Sequence, residues 1–125
     1  MTAPFDYVIL RCAPRVERAE FINVGAILYC RELGYLAAAW DFTPERLHAL
    51  YQDADPGALK ASLEHICAIC AGDPAAGPAA KVKPNERFGW LAAPRSTVIH
   101  AGPIHSGITN DPAADLERLI EEYVG

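Results

Sequence analysis

A set of arginines with carboxylate, amide and hydroxyl neighbours has the residue types best suited to binding chemistry in this sequence. Guanidinium groups beside such donors bind phosphate or carboxylate through charge-assisted hydrogen bonds. The same residues also suit a structural ion-pair network, in which Glu20 pairs with Arg18 or Arg95. Both interpretations stay open on the sequence alone. The set comprises Arg15, Arg18, Glu20, Asn23, Arg95 and Ser96.

A second polar set follows the Gly102-Pro103 dipeptide and adds His105 and Thr109 to the candidates. These residues precede a helix start, where free backbone amides can hold an anion. They equally suit turn formation and helix capping. A Ser–His catalytic pair would need a third orienting group and an oxyanion site, and neither is recognisable. We therefore assign no catalytic residue.

The spacing of Cys67 and Cys70 is that of half a zinc site or a redox motif. A structural zinc ion takes four ligands, but Cys12 and Cys30 are expected at opposite ends of a hairpin. Cys67 and Cys70 also lie on the apolar stripe of a predicted helix. We therefore predict four packed, reduced thiols, and neither a metal nor a cofactor. Common nucleotide-binding and hydrolase motifs are absent from the sequence.

Four segments are predicted to form a sheet, with helices after the third strand. Strands are predicted over 5–12, 21–29 and 35–42, where β-branched and aromatic residues cluster, and a late strand over 97–101. Gly25, inside the second strand, predicts a bulge or a close backbone approach. Three helices share an N-cap residue followed by proline, at Thr43-Pro44, Asp55-Pro56 and Asp111-Pro112. Residues 72–85 are predicted to form a flexible surface loop, and 87–91 a short element of undetermined type.

Composition is that of one globular domain. The 125 residues are 51% hydrophobic and 22% charged, and the net charge is −5. An acidic protein is a poor general ligand for nucleic acid or an anionic membrane. The N-terminal stretch does not resemble a secretory signal, and no apolar run is long enough to span a bilayer. These features predict a cytoplasmic protein.

Two long segments resemble a bacterial family known as domain of unknown function 3037. Residues 14–30 carry the pattern E-F-x-N-V-G-x-x-L, and residues 88–124 resemble the family's C-terminal half. Matches in the second segment include Pro103, His105, Gly107, Thr109, Asp111 and Pro112. The family has no established activity. The resemblance implies a partner or regulatory role, because genes of such proteins often neighbour the gene of a HipA-like kinase.

The sequence thus predicts a single α+β domain over 1–125. It has an antiparallel sheet of four to five strands and three helices packed mainly on one face. We expect a non-enzymatic binding or accessory protein that acts with a protein partner, with its oligomeric state left open. The alternative is a small enzyme or an anion-binding module that uses the Arg/Glu/Asn/His set. Convergence of these side chains in a pocket would favour the alternative, whereas closed ion pairs beside an apolar patch would favour the first.

Overall fold

The sheet is arranged around its first strand. Residues 2–93 and 97–124, which the computed structural model describes, form an antiparallel sheet of five strands and four helices. Strand β1 pairs with β2 along one edge and with both β4 and β5 along the other. Strand β3 extends the sheet beyond β2. The strands are β1 (Ala3–Cys12), β2 (Ile22–Cys30), β3 (Tyr35–Trp40), β4 (Ile99–Ala101) and β5 (His105–Thr109).

The predicted irregularity at Gly25 is confirmed. Leu10 pairs with Gly25 and Arg11 pairs with Asn23, so β2 has one extra residue at this point. A Cβ atom on Gly25 would lie 2.7 Å from the backbone oxygen of Ala39 in β3. The extra residue forms a bulge, and the missing side chain lets the neighbouring strand approach closely.

All three predicted helix starts are confirmed. Thr43, Asp55 and Asp111 each accept a hydrogen bond from a backbone amide three residues further on, at 3.1 to 3.3 Å. Each of these caps is followed by a proline at the first helical position. The helices are α1 (Pro44–Leu50), α2 (Pro56–Ala71), α3 (Pro84–Ala92) and α4 (Pro112–Tyr123).

The sheet separates two hydrophobic cores, and three of the four helices in the described part of the chain lie on one face. Leu47, Leu63 and Phe88 bring α1, α2 and α3 onto the face that carries Val8 and Ile27. Helix α4 covers the opposite face, where its buried leucines pack with Phe5, Leu28 and other residues. The predicted α+β class, with helices mainly on one face, is confirmed, and α4 is the exception.

The connection between α2 and α3 departs from the prediction. It contains two 3-10 turns, Pro74–Ala76 and Pro78–Lys81, and α3 begins at Pro84. Ala80 is buried, and other alanines of the segment pack against the first core. The segment predicted as a surface loop over 72–85 therefore packs part of its length on the core. Helix α3 escaped prediction because its N-cap residue, Lys83, offers no side-chain acceptor.

The lengths of the helices and the positions of the cysteines concern two expectations from the sequence, the lack of a membrane span and the packing of the thiols. None of the helices in 2–93 and 97–124 is both long and apolar enough to cross a membrane. All four cysteines are free. Cys12 belongs to the core under α2, whereas Cys30 belongs to the core under α4. The thiols of these two residues therefore lie on opposite faces of the sheet.

Candidate functional site

Arg15 and Arg18 each form an ion pair with a carboxylate two residues further along the chain. Arg15 Nε lies 3.0 Å from Glu17 Oε1, and Arg18 Nε lies 2.6 Å from Glu20 Oε1. A hydrogen bond from its own backbone amide, and then Arg15, lower the pKa of Glu17. Between 46% and 66% of each side chain is exposed, so water screens both pairs. The positive charges of this turn are thus balanced by their own neighbours.

Asn23 joins the end of α4 to the sheet. Its Nδ2 atom donates a hydrogen bond to the backbone oxygen of Tyr123, at 3.0 Å. Carbonyl groups in the last turn of a helix lack partners within the helix, and the Asn23 amide supplies one. This amide donor therefore has a structural role.

His105 and Thr109 lie on β5 and have local partners. The His105 ring packs at 5.3 Å, between centroids, from the ring of Tyr7 on β1. Thr109 is buried, and its hydroxyl oxygen accepts a hydrogen bond from the backbone amide of Asp111 at 3.0 Å. Asp111 in turn caps α4. Turn formation and helix capping, rather than an anion site, account for the contacts of Thr109.

The register of the sheet separates these groups. Asn23 lies beside Arg11, and Thr109 lies beside Ala3 at the far end of β1. At about 3.3 Å per residue, these two positions are ~26 Å apart along the strand. The residues of the polar set that the structure describes lie in three separate places: the turn before β2, the bulge in β2, and β5. Two further members, Arg95 and Ser96, lie outside the described residues.

Arg11 is a half-buried cation that the sequence analysis missed. Its guanidinium carbon lies 4.3 Å from the centroid of the Phe21 ring, a cation–π distance. A Cβ atom on Gly102 would lie 3.1 Å from the same guanidinium carbon, so the glycine leaves room for it. Arg11 Nε is buried and has no hydrogen-bond partner among the described residues. An arginine directly after the apolar run of residues 7–10 in β1 was the available signal.

A large cavity near this region has mainly apolar walls. It measures about 740 Å³ and lies between α1, the first half of α2 and residues 97–99, within the size range of small-molecule sites. Its polar lining includes Asp55, whose carboxylate already caps α2, together with His65 and Thr97. Burial raises the pKa of Cys12, which also lines the cavity, to about 11. The thiol is therefore protonated at neutral pH and is a poor nucleophile.

A smaller cavity of about 470 Å³ lies at the other end of α2. It is enclosed by the turn between β2 and β3, the last residues of α2 and the first residues of α3. Its charged lining residues, Arg31, Lys83 and Arg87, are all basic. None of them belongs to the polar set selected from the sequence.

Comparison with known proteins gives a family but no activity. The model of a family described as "Protein of unknown function (DUF3037)" matches residues 7–124. The chain belongs to this family. No curated protein and no solved structure matches the chain. The family match covers both segments that carried the resemblance, so the resemblance is confirmed, and the function has to be inferred from the molecule itself.

Proposed function

We propose that this protein is a non-enzymatic binding or accessory protein that docks an extended segment of a protein partner along the β4–β5 edge of its sheet. The main support for this proposal is that large apolar side chains are exposed along this edge. Val98, Ile104 and Ile108 are 49%, 55% and 74% exposed. A single exposed apolar residue needs no explanation, but a group of them on one edge is typical of an interaction surface.

The backbone of this edge supports the same proposal. Strands β4 and β5 pair with β1, and within the described ranges no strand pairs with their outer side. The backbone N–H and C=O groups on the outer side of an edge strand can pair with an added strand, and side-chain contacts then give specificity. Ile104 and Ile108 would supply those contacts. Pro103, which has no amide hydrogen, lies at the break between the two strands, where no ladder bond is needed.

The alternative function has weaker support. A small enzyme or anion-binding module built on the Arg/Glu/Asn/His set would need these side chains to converge. Arg18 is instead paired with Glu20, and Asn23 donates to Tyr123. Closed pairs of this kind support a binding protein more than the alternative.

A HipA-like kinase, which the family resemblance suggests, is the first partner to test. Purified protein would be mixed with the kinase encoded nearest to it, and with a host extract, and complexes would be measured by chromatography and calorimetry. Ile108→Lys places a charge on this edge, and charged side chains on natural edge strands commonly prevent pairing with another strand. The control is Val82→Lys, because Val82 is 42% exposed and precedes α3 instead of lying on β5.

We expect one stoichiometric partner that binds the wild type and Val82→Lys alike. Ile108→Lys should weaken it by about tenfold or more, as for a central interface residue. The complex must also form from purified components. Equal binding by both variants would overturn the proposed edge. A dimer of the protein that Ile108→Lys disperses would show that the edge binds a second copy of this chain instead.

A further inference from the structure

We propose that the basic cavity at the end of α2 binds a small organic anion that carries a phosphate or carboxylate group on an apolar body. The cavity has a volume of about 470 Å³, which falls in the range of small-ligand sites. It shares no residue with the β4–β5 edge, so this inference goes beyond the proposed function.

The charge of the lining is unbalanced. Arg31, Lys83 and Arg87 line the cavity, and no carboxylate does. No ion pair joins any of the three to an acidic residue of the described chain. Glu32 and Glu86 are sequence neighbours, but both are exposed and neither lines the cavity. In a protein of net charge −5, three unpaired cations around one concavity create a local positive potential that attracts anions.

Arg87 is held in place by the end of α2. Its Nη1 group donates to the backbone oxygens of Ile69 and Cys70, at 2.9 and 3.0 Å. Both bonds use the same nitrogen, so the donors on Nη2 are left over. Its Nε atom is buried and has no partner among the described residues. A guanidinium fixed in this way loses little conformational freedom when an anion binds.

Apart from the three cations and Asn85, the residues that line the cavity are apolar or small. Tyr29, Leu36 and Pro84 line it, and the Tyr29 ring stacks on Phe88 with 5.4 Å between centroids. An inorganic ion would contact the polar side chains alone, whereas an organic anion would also cover this apolar surface. The combination therefore favours an amphipathic anion over a bare one.

The test uses phenyl phosphate and benzoate, which carry a phosphate and a carboxylate group on the same apolar ring. Phenol is the control without the anionic group, and inorganic phosphate is the control without the apolar ring. Each would be titrated into the ¹⁵N-labelled protein at low salt while amide shifts are followed. Lys83→Met removes one cation of the cavity. Lys81→Met removes an equal charge from the neighbouring 3-10 turn, where Lys81 is exposed and does not line the cavity.

We expect saturable shifts at residues of the cavity, tighter binding of phenyl phosphate or benzoate than of phenol and inorganic phosphate, and no effect of Lys81→Met. Lys83→Met should weaken binding about fivefold, the change that corresponds to ~1 kcal/mol for one solvent-exposed charge. Whichever of phenyl phosphate and benzoate binds more tightly shows whether the cavity prefers a phosphate or a carboxylate group. No saturable binding, or equal losses in both variants, would overturn the site. Because both lysines are exposed, neither variant should unfold the protein.

Discussion

Gly25 is a position at which the backbone of a neighbouring strand leaves no room for a side chain. Its Cβ would lie 2.7 Å from Ala39 O and 3.2 Å from Trp40 Cβ. Gly25→Ala should therefore lower the free energy of unfolding by ~1–3 kcal/mol, because β3 must shift to accept the methyl group. Urea denaturation measures this change.

Gly89 is the matched control for that substitution. Nothing lies within 4 Å of a Cβ placed there, inside α3. Gly89→Ala should raise the free energy of unfolding by ~0.5–1 kcal/mol, because alanine loses less backbone entropy in a helix. If Gly25→Ala proved as harmless as Gly89→Ala, the close approach of β3 would be wrong.

The buried thiols predict a loss of stability at alkaline pH. Burial raises the pKa of Cys12 to about 11 and that of Cys70 to about 12. A thiol in the unfolded chain ionises near ~8.5. Above that pH the unfolded chain has lost protons that the folded chain keeps, so the free energy of unfolding falls as pH rises; below ~8 the thiols contribute no slope.

Urea denaturation at pH 7 to 10.5 would measure this slope. Cys70→Ala should make it shallower, whatever the variant's stability at pH 7. Tyr7 and Tyr35 are only partly buried, but desolvation raises their pKa values too, so both add to the slope at the upper end. An identical slope in Cys70→Ala and wild type would show that the Cys70 thiol ionises equally in both states.

Between α2 and α3, the 3-10 turns hold one buried side chain, Ala80, which is 4% exposed. Ala80→Glu should lower the free energy of unfolding by ~1–3 kcal/mol, because it places a polar group where water cannot reach it. Ala75→Glu is the control, since Ala75 is exposed in the first turn, and should change stability by less than ~0.5 kcal/mol. Thermal denaturation of both variants checks the contrast. Equal effects would mean that the segment does not pack on the core.

Local signals explain which elements the sequence predicts. An acceptor side chain followed by proline specifies the helix starts at Pro44, Pro56 and Pro112, because the cap bond forms within one turn. At Lys83 that acceptor is missing, so α3 depends on burying Phe88 and Leu91 in the first core. Tertiary packing of this kind is not visible in a short window of sequence.

The same distinction applies to the candidate site. The pairing of Arg18 with Glu20, one of the options predicted, requires only two residues in one turn. The partner of Asn23 depends on where α4 ends, a hundred residues later in the chain. The basic cavity requires three elements to meet, so no spacing in the sequence reveals it.

The molecule as a whole has a layer of three helices, a sheet, and a fourth helix on the far side. Leu63 belongs to the first core and Leu119 to the second, and both are buried. Each leucine-to-alanine change should lower the free energy of unfolding by ~2–4 kcal/mol. The double variant should equal the sum within about 0.5 kcal/mol, because the sheet separates the two sites. Urea denaturation of the three variants would show coupling between the cores as a departure from that sum.

The pairing of β1 with β5 also constrains when the protein can fold. This pairing joins Ala3 to Thr109, and the amide of Asn23 meets the end of α4. Contacts between such distant residues slow folding, because a long loop must close before they form. During synthesis, β1 is made long before β5, so the side of β1 that pairs with β5 stays open until β5 has also left the ribosome. The nascent chain thus presents an unpaired strand edge throughout the synthesis of the segment between β1 and β5, and such edges invite aggregation or chaperone binding.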